Sequence, residues 1–128
     1  MSSEQYEKGQ RIRRQVLGDR YVNSVTNGAD SFAQVFQTYA AENCWGGIWA
    51  RPGLSLKQRS FLNLAMLSAM VRTHELKLHI RGALNNGITR EEIAEVFLQT
   101  AMYCGTPAAV EAFRAAKEVF TEMDAADG

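Results

Sequence analysis

The chain has 128 residues, 46% of them hydrophobic, and its 14 basic side chains balance 14 acidic ones. That length suits a single domain, residues 1–128, near the size at which association adds to stability, and zero formal charge leaves no electrostatic footprint for nucleic acid or an anionic membrane. Cys44 and Cys104 are too far apart for a CxxC redox pair or half a zinc site. No apolar signal region opens the chain and no apolar run approaches about 18 residues, so the expectation is a cytoplasmic protein with reduced thiols.

Residues 4–17 read as a charged helix ending in Val16 and Leu17, with Gly18 as its stop. Arg11, Arg13 and Arg14 make it locally basic, which predicts a solvated face or, less simply, recruitment of an anionic substrate. A polar connection is expected over residues 19–28. Asp30 or Ser31 then caps a second helix running to about Asn43, with Phe32, Val35, Phe36, Tyr39 and Ala40 at helical spacing as a core-facing stripe. Residues 42–53 break that period. Two glycines and Arg51-Pro52-Gly53 predict irregular backbone carrying Trp45, Trp49 and Arg51, either a loop pinned to the core by its indoles or a pocket wall whose arginine suits a carboxylate.

Ser55 with Gln58 forms a capping-box pattern for a helix that is apolar nearly all round, from Phe61 to Val71, which marks it as the buried centre. A break is expected near Arg72 and Thr73, because an uninterrupted helix to Asn86 would be too long for a small domain. The next helix, from His74 to Asn86 with Thr73 as its candidate N-cap, holds both histidines. Glu75 and His79 lie four apart on one face with Leu76, Ile80 and Ala83, and Arg72 joins them one turn earlier. Burying a carboxylate, an imidazole and a guanidinium there requires that they satisfy one another or a ligand. His74, Lys77 and Arg81 fall on the other side, as a solvated face or an oligomer contact.

Thr89 with Glu92 predicts another capping box, for a helix through Cys104 that Gly105 ends, and Thr106-Pro107 opens a last, alanine-rich helix. Residues 124–128 are expected to fray. Nothing alternates with period two, so the class is all-α, with about six helices. Glu75 and His79 have the spacing of a metal-ligand pair but no third ligand, and no metal is expected.

Two strings carry a resemblance: Trp45-x-x-x-Trp49-x-Arg51-Pro52-Gly53, and His79-x-Arg81-Gly82-Ala83-x-Asn85-Asn86-Gly87. With residues 101–114 they resemble the carboxymuconolactone decarboxylase family, over most of the chain from about Arg14 to Phe120. The resemblance implies an all-helical fold shared with alkyl hydroperoxide reductase D proteins, a homo-oligomer that is typically a hexamer, and a lyase of the protocatechuate branch of the β-ketoadipate pathway. In the peroxidase branch of that superfamily a Cys-x-x-Cys-x-x-x-His motif matches Arg72, Glu75 and His79 here. Both thiols are gone, which argues against thiol antioxidant chemistry.

The implied substrate is a small unsaturated lactone with two carboxylates, one of which leaves as carbon dioxide while the lactone accepts the electrons. No cofactor is needed, and no motif for pyridoxal phosphate or thiamine is present. On this reading Arg51, with Arg72 second, clamps a carboxylate, while Trp45 and Trp49 wall the leaving group. His79 is the first choice of general acid, Glu75 orients it, and Glu42 is the other carboxyl candidate. The alternatives are a structural network of Arg72, Glu75 and His79 that locks central helices, and a non-catalytic helical oligomer or binding module.

Overall fold

A computed structural model describes residues 3–127. Among them are seven α-helices and one π-helical segment, with no strand. The all-α class holds, with more helices than expected. The chain falls into two compact units, Met1–Leu56 and Lys57–Gly128.

In the first unit, α1 (Glu4–Leu17) starts where the Ser3 hydroxyl accepts from the Tyr6 N–H, and it ends at Gly18, whose φ is 90°. The expected polar connection is instead α2 (Asp19–Asn27). Asp19 suits its first turn, and Tyr21, Val22 and Val25 recur at helical spacing around a fully buried Val22. α3 (Ser31–Tyr39), capped by Asp30, passes directly into the π-helical segment Ala40–Trp49. The irregular loop expected for residues 42–53 is therefore helical as far as Trp49, with a wider i→i+5 turn.

α1 packs against the π-helical segment at very close range. A Cβ on Gly9 would lie 1.8 Å from the Ala41 carbonyl oxygen, and one on Gly46 would lie 2.4 Å from that of Gln5. Small residues make that contact, with Ala40 and Ala41 buried, so the bulky stripe of α3 turns outward: Phe32 is 88% exposed, and Val35, Phe36 and Tyr39 are exposed with it. Their expected place in the core is corrected. The core of this unit is built from Val16, Leu17, Val22, Trp45 and Trp49 with the two alanines.

The second unit holds α4 (Leu56–Ala69), α5 (Thr73–Asn85), α6 (Arg90–Cys104) and α7 (Thr106–Asp127). Its core comprises Leu64, Leu76, Ile80, Ala83, Ile88, Ile93, Phe97 and the inner face of α7 from Ala112 to Val119. α4 does not form the all-round buried centre. Ser60, Leu64 and Ser68 are buried, while Leu62, Met66 and Met70 are exposed. The two serines are satisfied: Ser60 Oγ accepts from Asn86 Nδ2 at 2.8 Å, and Ser68 Oγ lies 3.2 Å from Thr100 Oγ1.

The expected break falls at residues 70–72, where Val71 takes φ 55°, a left-handed conformation unusual for a β-branched residue. Arg72, rather than Thr73, occupies the N-cap of α5. The Thr89–Glu92 capping box is formed and Gly105 ends α6. α7 continues through residue 127, so residues 124–127 are helical rather than frayed, and residue 128 lies outside the described residues. Lys77 pairs with Glu118, Arg81 with Glu122 at 2.6 Å, and Arg90 with Asp124 at 2.7 Å, tying α5 and α6 to α7 along the surface.

Candidate functional site

The sequence candidates divide between the two units. In the second, His79 sits on the buried arc of α5 with Leu76, Ile80 and Ala83 and is 9% exposed. Its companions are not buried with it: Arg72 and Glu75 are both exposed. Arg72 precedes the helix, so helical arithmetic does not carry it onto that face, and Glu75 occupies the first turn at the edge of the stripe. The expected buried cluster of three charged groups is thus a buried imidazole with a carboxylate nearby on the solvent side.

Burial dominates the electrostatics of His79. Loss of water pushes its pKa from 6.5 down to about 4, and the Glu75 charge opposes this only in part. At neutral pH the ring is uncharged. The Asn63 side-chain amide nitrogen on α4 lies 3.4 Å from His79 Nδ1. With the amide in that orientation Nδ1 is the acceptor, so the ring proton resides on Nε2. Asn63 was not among the sequence candidates. The available signal was a lone amide inside the apolar run Phe61-Leu62-Asn63-Leu64.

In the first unit the π-helical segment carries Glu42, Trp45 and Trp49, and Arg51 follows it. The two indoles are buried and stacked, with centroids 4.7 Å apart, so they belong to the core of this unit. Glu42 is half-buried; its Oε2 accepts from Ser3 Oγ at 2.6 Å, and its backbone oxygen accepts from Gln5 Nε2 at 3.2 Å. Arg51 is exposed, and its N–H bonds the Ile48 carbonyl at 3.0 Å.

Arg13 differs from the expected solvated base. It is 6% exposed and donates to Gln37 Oε1 at 2.9 Å. Gly9, Gln10, Arg13, Val16 and Leu17 are the buried residues of α1, and their spacing of one, three, three and one is the helical signature that places the arginine inward.

An open groove of about 400 Å³ runs between α4 and α6, lined by Phe61, Ala65, Val96, Thr100, Tyr103 and Cys104 among others; none of the sequence candidates lines it. Among the described residues, no group of three or more His, Cys, Asp and Glu is placed to hold a metal ion, and no helix is long and apolar enough to cross a membrane.

The chain is all-helical, with a buried neutral histidine on α5 and with Arg72 and Glu75, not thiols, seven and four residues before it. The model of the carboxymuconolactone decarboxylase family matches residues 34–118, and the chain belongs to that family. It is 39% identical to a 4-carboxymuconolactone decarboxylase from Acinetobacter baylyi over 124 residues, covering 96% of this chain and 92% of that protein. It is also 41% identical to a nitrosuccinic acid decarboxylase from Metarhizium robertsii over 118 residues, covering 92% of this chain and 82% of the relative.

Proposed function

We propose that the protein is a cofactor-independent carboxy-lyase that converts 4-carboxymuconolactone to the β-ketoadipate enol-lactone in protocatechuate catabolism. The observation that carries this reading is the near full-length similarity to a decarboxylase of that lactone. The acid that the second relative is named for, nitrosuccinic acid, has the same logic: two carboxylates and an internal group able to accept the electrons of the breaking bond.

In the lactone, the bond to the departing carboxylate breaks and its electron pair flows through the conjugated double bond onto the lactone carbonyl, giving carbon dioxide and a dienolate. A proton is then delivered to the carbon alpha to that carbonyl. Charge develops on oxygen, so a positioned N–H donor lowers the barrier. His79 supplies that donor in this reading. A neutral imidazole with its proton on Nε2 hydrogen-bonds the developing oxyanion. To act as the acid it takes up a proton from solvent, a form that the Glu75 charge favours, and the imidazolium then gives one proton to the alpha carbon and returns to the neutral ring. Glu42 is the alternative acid. Arg51 and Arg72 are assigned to a substrate carboxylate, and Trp45 and Trp49 to apolar support on the π-helical segment.

The same reading makes the enzyme a cytoplasmic homo-oligomer, a hexamer by family habit. Exposed Phe32, Val35, Phe36 and Tyr39 on α3, and Met102 and Tyr103 on α6, support association, because bulky apolar groups at such density favour burial against protein. The substrate assignment is tested by measuring kcat/KM of chelator-treated protein on 4-carboxymuconolactone and on nitrosuccinic acid, following carbon dioxide release. The lactone is expected to be preferred. Preference for nitrosuccinic acid favours the second reading, in which the nitro group is the electron sink, and turnover of neither overturns both.

A further inference from the structure

The uncharged stretch of α4 from Ser60 to Val71 holds three polar side chains, and each reaches a residue outside α4. Ser60 Oγ accepts at 2.8 Å from Nδ2 of Asn86, the C-cap of α5, and Ser68 Oγ lies 3.2 Å from Thr100 Oγ1 on α6. Between the two serines Asn63 presents its Nδ2 to His79 Nδ1 at 3.4 Å. Both serines are fully buried, so a rotation of α4 that broke their bonds would strand polar groups away from water. Asn63 is half-buried and is carried to the ring by a helix anchored on either side of it.

Burial keeps the His79 ring neutral at neutral pH, with one proton for two nitrogens, and the hydrogen bond at one nitrogen decides where that proton sits. An amide N–H aimed at Nδ1 needs a lone pair there, which sends the proton to Nε2. A proton on Nδ1 would instead face the hydrogens of the amide. The choice bears directly on the decarboxylation proposed above, on which this inference rests. An Nε2–H donates to the developing oxyanion, whereas a bare Nε2 lone pair repels it.

We propose that Asn63 is the positioning residue of His79, setting the imidazole tautomer so that Nε2 carries the N–H that meets the substrate. A carboxamide also serves the acid step. When the ring takes up its second proton at Nδ1, the amide turns over and Oδ1 accepts from Nδ1–H. Delivery of the Nε2 proton to carbon leaves the ring protonated on Nδ1. Loss of that proton to solvent and uptake of one at Nε2 restore the resting tautomer, so each turnover consumes one solvent proton. A carboxylate at position 63 can only accept and an aliphatic side chain can do neither.

The test is NMR of the ring nitrogens, on full-length, assembled protein labelled at histidine, near neutral pH. With two histidines in the chain, His79→Gln identifies the His79 signals by their loss. The wild-type ring is expected to show a protonated, pyrrole-type Nε2 and an unprotonated, imine-type Nδ1. Asn63→Leu removes the donor and is expected to give a mixture of tautomers. Asn63→Asp keeps the shape and is expected to place a proton on Nδ1. With the lactone, kcat is expected to fall roughly 10-fold or more in each variant, and KM to change less than kcat.

A role in packing alone would lower stability and leave the ring signals where they are. A wild-type ring protonated on Nδ1, His79 signals in the folded variants identical to those of the wild type, or an undiminished kcat in them overturns the proposal. The wild-type spectrum needs no variant, and Asn63→Asp decides if Asn63→Leu does not fold. No lactone turnover by a wild type that shows the expected spectrum would overturn the decarboxylase reading and leave the control of the tautomer by Asn63 standing.

Discussion

Acidification should expose the burial of His79 as a loss of stability that a single substitution removes. The folded-state pKa is about 4 against 6.5 for the free side chain. Above pH 6.5 the ring is neutral in both states and its burial carries no protonation cost. Below 6.5 the unfolded chain takes up a proton that the folded chain refuses, so stability falls with pH and the loss levels off below about 4. The linkage relation gives a loss of about 2 kcal/mol at pH 5 and about 3 kcal/mol at pH 4. His79→Gln keeps a neutral polar group of similar length and should flatten this segment of the curve. The carboxylates with lowered pKa, Glu92, Glu118 and Asp124, titrate below this range, and the difference between wild type and His79→Gln isolates the imidazole. Urea unfolding followed by far-ultraviolet circular dichroism suits the assay, because the described fold is helical throughout and contains no strand. Parallel pH dependence in wild type and His79→Gln across that window, or an NMR titration midpoint for His79 near 6.5, would refute the reasoning.

The contact of α1 with the π-helical segment predicts that Gly9→Ala lowers stability by about 2 kcal/mol or more, because the new Cβ meets the Ala41 carbonyl at 1.8 Å and backbone must move. Equal unfolding midpoints would contradict that contact. Val71→Gly should raise stability by about 1 kcal/mol, since the left-handed conformation at φ 55° costs a β-branched residue more than glycine loses in chain entropy. Replacing Phe32 and Phe36 by serine should shift sedimentation toward smaller species with helicity intact, because both side chains are exposed. Unchanged sedimentation would exclude the α3 stripe from the assembly.

Local signals on the sequence proved strong where a single residue type enforces the geometry. The Thr89–Glu92 capping box, the stop at Gly105 and the break before α5 were legible because caps and left-handed positions depend on near neighbours. The apolar arc of α5 around His79 was legible for the same reason, since its period is that of the helix. Facing was not legible in α3 and α4: an apolar stripe reads alike whether it meets its own core or a second molecule, and the Phe32 to Tyr39 stripe faces outward. The π-helical turn was hidden as well, because the glycines that suggest a loop serve the close approach of α1. Arg13 was misread by its charge although its spacing with Val16 and Leu17 was correct for burial. Arg72 was placed on the histidine's face by arithmetic that assumed the helix already ran at residue 72, which is its N-cap, whereas Glu75 does lie four residues before His79 on α5 but at the solvent edge of the stripe.

The proposed function is decarboxylation of 4-carboxymuconolactone through His79 without a cofactor. Its most direct test is one assay on chelator-treated protein, with lactone consumption and carbon dioxide release measured together for wild type and for a folded, assembled His79→Gln variant. The wild type is expected to release one carbon dioxide for each lactone consumed, and the variant to turn over at a rate roughly 10²-fold or more lower. Lactone left untouched by the wild type, or an undiminished rate in His79→Gln, would contradict it.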